Sequence, residues 1–214
     1  RMLNLGVPAG AQYIFEAGAF GFSSIMMGWI GTIPLAAHQI ALNLATISYM
    51  TTSGMGAAAT IKVGNYFGKG DIQNLRASGF TMFWMAAGLM FTWAIIFIFG
   101  NRFFPTLYIS DVEVIEAAAS LLVIAAFFQL SDGIQVVGTG ALRGLQDGKI
   151  PGLLIFAAYW VIAIPIGYML AFRFGLGPQG IWIGLLIGLS LSAVATVWRF
   201  QQLTKNLPNR SSLS

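Results

Sequence analysis

Six stretches of this chain are apolar, helix-length and separated by turn-like breaks. They run roughly from Leu5 to Trp29, Leu35 to Ile61, Ala77 to Phe99, Val112 to Leu142, Pro151 to Phe172 and Gln179 to Trp198. A helix rises about 1.5 Å per residue, so ~20 mainly apolar residues cross the hydrocarbon of a bilayer. A membrane β-barrel would show ~10-residue alternating segments instead, and the sequence has none. The expected fold is all-α integral membrane, with six transmembrane helices. A soluble globule is excluded because only 8% of residues are charged and 57% are hydrophobic, against about 25% charged in ordinary soluble domains. With no cysteine, disulfides and thiolate metal sites are excluded as well.

The breaks read "GTIP", "GNYFGKGDIQN", "NRFFPTLYISD", "GLQDGKIP" and "RFGLGPQG", rich in the residues that punctuate helices. Pro165 lies inside the fifth run and is expected to kink it. Gly180, Gly184 and Gly188 share one face of the sixth, where two backbones can approach closely, within the bundle or in an oligomer. No signal peptide is expected at "RMLNLGVPAG"; Arg1 is either a scar ahead of Met2 or the mark of a chain cut from a longer one.

If the spans alternate, Arg1, Lys62, Lys69, Arg76, Arg143, Lys149, Arg199, Lys205 and Arg210 fall on one side, and only Arg102 and Arg173 on the other. That bias predicts cytoplasmic termini, with a six-helix lobe over residues 1–204 and a cytoplasmic tail over 205–214. The basic residues are scattered singly, so no nucleic-acid stripe exists.

Of the seven acidic residues, Asp111, Glu113 and Glu116 cluster where the fourth span begins, Asp71 and Asp147 lie in turns, and Glu16 and Asp132 alone lie deep inside spans. A carboxylate at the centre of a membrane helix costs ~2.5–3.5 kcal/mol on insertion scales, so such residues turn toward the bundle interior or a wet cavity. Glu16 lies 15 residues after Arg1 on an outgoing span, and Asp132 lies 11 before Arg143 on an incoming one. The two depths differ by about one helical turn, so the acids can share a cavity. No Lys or Arg falls within a span at that depth. The acids are therefore helix-holding residues or a proton or cation site. Gln129, Ser131, Gln135 and Thr139 near Asp132, and Gln12 near Glu16, add the oxygens that hard cations take.

His38, the single histidine, is either a packing residue or part of a proton path or substrate site. Gln39 and Asn43, four apart, either bond between helices or line a pocket. The "GNYFGKG" glycines lack the strand and the lysine–hydroxyl ending of a phosphate loop.

Three stretches then carry a resemblance: "LGVPAGAQYIFEAGAF", "LAAHQIALNLATISYMTTSGMGAAATIKVGNYFGKGD" and "FFQLSDGIQVVGTGALRGLQDGKIP". Over almost its whole length the chain resembles the carboxy-terminal half of multidrug and toxic compound extrusion (MATE) transporters, in their bacterial multidrug branch. That resemblance implies twelve helices in two six-helix lobes, and the exchange of incoming Na⁺ or H⁺ for outgoing cationic, aromatic drugs. It also implies an inner-membrane location, a partner amino-terminal half, no cofactor beyond the coupling ion, and an antiporter rather than an enzyme. By position, Asp132 and Glu16 correspond to the family's cation-coupling acids, which would also ligate Na⁺ in a sodium-coupled member. Gln39 and Asp111 correspond to positions near bound drug; Asn43 and Gln135 join them as expected substrate contacts. Similar proteins carry a tyrosine four residues before the aspartate. Phe128 stands there here, which tilts the expectation toward H⁺ or a differently completed ion site.

Three rival readings are weaker. An intramembrane enzyme lacks its motifs here: no paired-aspartate motif, no Tyr-Asp pair to accompany a Gly-x-Gly-Asp, and no HExxH pattern is present. A lipid-linked-substrate flippase of the same superfamily would need cationic residues in its cleft, and a non-transporting structural module would have no use for two acids without basic partners.

Overall fold

The computed structural model describes the backbone of residues 2–207 and side chains from residue 10 onward. Expectations resting on Arg1, Arg210 and residues 208–214 of the tail lie outside the described residues. Six long helices form: α1 (Met2–Ile30), α2 (Thr32–Lys69), α3 (Ile72–Phe99), α4 (Val112–Gly144), α5 (Lys149–Arg173) and α6 (Gly177–Lys205). A single helical turn, Phe103–Thr106, bridges α3 and α4.

By length and apolarity alone, α3 to α6 are each able to cross a membrane. α1 and α2 have the length but are diluted by Gln12, Glu16, Ser23 and Ser24 in one and by Gln39, Asn43 and a run of Ser and Thr in the other. These two helices also supply most of the site described below.

α2 extends past the expected end of the second span. The stretch "GNYFGKG" was expected to be a turn, yet the helix continues through it to Lys69 and stops at Gly70. Gly70 has φ 71°, and its N–H bonds Phe67 O and Tyr66 O, which closes the last turn. Hydropathy reports lipid contact, not helix length, so a helix that projects beyond the apolar layer is cut short in such a reading. Asp71 then caps α3: its carboxylate accepts from the Asn74 side chain at 2.6 Å and the Asn74 N–H at 3.1 Å. Those bonds hold its carboxyl below the usual range.

Pro165 disturbs α5 in an unexpected form. The helix widens into two i→i+5 stretches, Ala157–Ala163 and Met169–Arg173, on either side of the α-helical Ile164–Tyr168 that carries the proline. A proline has no N–H for the ladder, and such widened turns are one way a helix absorbs the loss.

α4 is the central helix and packs against α2, α3 and α6. Its contact with α2 is backbone on backbone. A Cβ added to Gly140 would strike Gly56 O, and Thr60 Oγ1 donates to Gly140 O at 2.9 Å. The Gly180, Gly184 and Gly188 face of α6 meets α5, where a Cβ on Gly180 would lie 2.6 Å from Ala171 N. Those glycines therefore serve packing within the bundle.

Two apolar clusters fill the interior. One, around Met26, Leu121, Phe128, Tyr159 and Trp182, covers α4 up to Phe128; the other, around Leu75, Phe83, Leu142 and Phe200, takes α4 from Ile134 onward. Between them α4 carries Gln129 and Asp132, buried polar residues at the seam of the core.

Candidate functional site

Phe128, Asp132, Gln135, Thr139 and Arg143 recur every three or four residues, so α4 presents them as one stripe. α1 faces that stripe with Gln12, Tyr13, Glu16, Ala17 and Phe20, and α2 with Leu42, Thr46, Tyr49, Ser53 and Thr60. Where the three stripes meet there are two adjoining cavities. The larger, of about 340 Å³, is lined by Glu16 and Asp132 together with Tyr13, Phe20, Tyr49, Phe128, Leu42, Thr46 and Met50. The smaller, of about 110 Å³, shares Tyr13, Glu16 and Tyr49 and adds Gln12, Ser53, Thr60, Gln135, Thr139 and Arg143.

The two acids thus border one cavity, but they are held differently. Glu16 accepts a hydrogen bond from Gln135 Nε2 at 2.8 Å, and the Tyr159 hydroxyl donates to Gln135 Oε1 at 3.5 Å. Asp132 is only 6% exposed. Among the described residues it takes part in no hydrogen bond and no ion pair. It lines the larger cavity instead, so its carboxylate is left to bond what that cavity holds. Among the described residues no basic side chain lines the larger cavity, and aromatic faces do, which suits a lipophilic cation.

One expectation needs correcting. Counting along the chain puts Arg143 at the cytoplasmic edge, leaving no basic residue near the acids. In the structure its guanidinium folds back into the smaller cavity. Nη2 donates to Gln12 Oε1 at 3.2 Å, Nη1 to the Tyr13 hydroxyl at 3.4 Å, and the group stands 5.1 Å from the centre of the Tyr13 ring. Glu16 lines that same cavity.

The remaining expected site residues scatter. Gln135 bonds Glu16. Gln39, Asn43 and Asp111 line neither cavity. Gln39 and Asn43 are exposed and continue the α2 face of Thr46 and Met50 beyond the larger cavity; Gln39 bonds Ser24 and Asn43 accepts from the Tyr108 hydroxyl at 3.3 Å. Asp111 is the N-cap of α4, accepting from Glu113 N at 2.9 Å. Of the oxygens expected around Asp132, Gln129 turns to Ser48 (2.9 Å) and Ser131 to Ser190 (2.8 Å). Both sit on α4 faces directed away from the stripe. Among the described residues no three of His, Cys, Asp and Glu cluster. A Na⁺ beside Asp132 and Glu16 would therefore complete its shell with neutral oxygens, and Phe128 offers none.

His38 takes the packing alternative. It is fully buried; Trp182 Nε1 donates to its Nδ1 at 3.1 Å, and Nε2 faces Ser24 Oγ at 3.0 Å. An indole N–H only donates, so Nδ1 accepts and the proton sits on Nε2.

Tyr13, Phe20, Tyr49, Arg143 and Tyr159 are the site residues that the sequence reading did not single out. For Tyr13, Phe20 and Arg143 the signal was present as helical periodicity against Glu16 or Asp132, whereas Tyr49 lies on α2, which carries neither acid. Tyr159 comes from an i→i+5 stretch of α5, whose changed phase hides it from a 3.6-residue pattern.

The MatE family model matches residues 8–169. The chain is 41% identical, over 96% of its length, to "Probable multidrug resistance protein NorM" of Agrobacterium fabrum, covering 45% of that protein. It is 39% identical over 97% to "Multidrug resistance protein NorM" of Burkholderia vietnamiensis, covering 46%. It spans about half the length of the curated relatives it matches. Its fold superimposes on a MATE structure in the bent conformation with a TM-score of 0.90 at 17% identity, covering all of this chain and 47% of that one. Against the eukaryotic MATE transporter AtDTX14 the TM-score is 0.87 at 22% identity, over 96% of this chain and 47% of the other. By the family match and by its NorM relatives, the chain belongs to the MATE family.

Proposed function

We propose that this chain is the carboxy-terminal six-helix lobe, residues 1–204, of a cation-coupled multidrug antiporter that exports cationic, aromatic compounds. Its coupling carboxylates are Asp132 and Glu16, its ion is H⁺ or Na⁺, and its partner is an amino-terminal six-helix half. Both termini of the segment are cytoplasmic in a bacterial inner membrane. The observation that carries this reading is the one cavity bordered by Glu16, Asp132 and aromatic side chains, with no basic residue among the described residues of its walls. Relatives described as multidrug resistance proteins support the same reading.

Among the described residues Asp132 has no partner, so its charge is balanced by what enters the cavity: a proton, a metal cation or a cationic drug. Occupancy by one disfavours the other, which is the reciprocity that exchange requires. Tyr13, Phe20, Tyr49 and Phe128 supply the ring faces for an aromatic substrate. Gln135 positions the Glu16 carboxylate, and Gln39 and Asn43 extend the α2 face along which a drug moves outward. Asp111, as a helix cap, contributes negative charge near that end without lining the cavity.

The test is ethidium efflux from energised vesicles carrying this chain with its complementary half, under a proton gradient and separately under a sodium gradient. The Asp132→Asn variant is expected to lose gradient-driven efflux by about a hundredfold or more, and the gradient that drives the wild type names the ion. Equal efflux from variant and wild type would make Asp132 a structural residue and refute the reading.

A further inference from the structure

The smaller cavity has a chemistry of its own. Ser53 Oγ donates to Met50 O at 2.9 Å, Thr60 Oγ1 to Gly140 O at 2.9 Å and Thr139 Oγ1 to Val136 O at 3.0 Å. A hydroxyl has one hydrogen to give, and each of these gives it to the backbone. What the three present to the cavity is therefore lone pairs. The Glu16 carboxylate stands at one end. That part of the chamber presents acceptors, suited to a hydrated cation or to water that donates. At its other end sits the opposite sign: the Arg143 guanidinium, held by Gln12 and Tyr13, with its Nε buried and unpaired among the described residues. A buried, unpaired donor on a guanidinium is unfavourable, so the placement asks for a role.

We propose that this chamber is the coupling ion's route from Glu16 toward the cytoplasm and that Arg143 is its electrostatic gate. With the guanidinium on Gln12 and Tyr13, positive charge closes the route to cytoplasmic cations while Glu16 is loaded from the larger cavity. Its swing off those two weak bonds opens the way. Arg143 is thus a positioning and selectivity residue, acting by its field rather than by binding drug. The inference rests on Glu16 as a coupling carboxylate.

The experiment measures cation entry without drug into proteoliposomes carrying this chain with its complementary half, using a trapped pH dye for H⁺ and tracer for Na⁺. Arg143→Gln is expected to raise drug-free entry about tenfold, and Arg143→Lys to stay within about twofold of wild type. If Arg143→Gln still exchanges drug yet leaks no more than wild type, the gate does not exist. Equal leakage from both variants would show lost packing and overturn it too. Should the variants fold poorly, Ser53→Cys keeps Arg143 and places one thiol in the chamber of a chain with no other cysteine. A small anionic thiosulfonate added from the cytoplasmic side should label it about tenfold faster than its cationic counterpart. Equal rates would refute the gate. If instead wild-type exchange proves independent of both gradients, the coupling assignment fails, and the reagent-charge ratio still reports the field of Arg143.

Discussion

The His38 cluster and the Asp132 cavity are two buried polar regions in the same bundle, built to opposite specifications. His38 joins α1, α2 and α6 with both ring nitrogens engaged, by Trp182 and Ser24. Asp132 lies at the seam between two apolar clusters, faces a cavity of about 340 Å³, and has no bonding partner among the described residues. A fully satisfied polar group in a low-dielectric interior fixes one arrangement of helices. An unsatisfied carboxylate facing a cavity is poised for something that comes and goes. Buried and ionisable describes both, so it is the inventory of bonds, and not burial, that tells the two regions apart.

The comparison breaks if the two regions respond alike to mutation. After Asp132→Asn, the largest expected effect is that of Glu16→Gln. The substituted amide still accepts from Gln135 Nε2, so folded yield should match wild type while gradient-driven ethidium efflux falls by about tenfold or more. Efflux that survived would remove Glu16 from the coupling site. His38→Ala should show the reverse pattern, a loss of about 1–3 kcal/mol of stability because the Trp182 N–H is left buried without a partner. Thermal unfolding in detergent would register that loss, and efflux per folded molecule should stay within about twofold. An efflux loss with unchanged unfolding would put His38 in the transport path and erase the distinction.

Phe128→Tyr sharpens the comparison with a smaller effect, because it adds one hydroxyl on the α4 stripe four residues before Asp132. It should favour sodium over proton drive by a few-fold, in the range of a single hydrogen-bonding group of about 1 kcal/mol. The ratio of efflux under the two gradients measures it, and an unchanged ratio would show that the tyrosine hydroxyl is irrelevant to ion choice in this chain.

The fold class was readable because apolar runs of helix length leave few alternatives. The end of α2 was not, since Gly64 and Gly68 look like turn residues while the helix carries them on to Lys69. The two acids stood out through the energy of placing a carboxylate in a membrane. Arg143 did not: orientation rules count a basic residue by its place in the chain, and its side chain turns back toward α1. The scatter of Gln129 and Ser131 has the same origin. Nearness in sequence to Asp132 gave them no share of its face, whereas Gln135 and Thr139, three and seven residues on, have one.

The central claim is that Asp132 links the ion to the drug, and the most direct measurement is equilibrium binding of ethidium to the purified two-half transporter as Na⁺ or H⁺ is raised. Linkage predicts that the coupling ion weakens ethidium binding to the wild type by about 5- to 150-fold. It also predicts that Asp132→Asn flattens the dependence while ethidium still binds. An Asp132→Asn protein whose ethidium affinity responds to the ion as the wild type does would contradict the account.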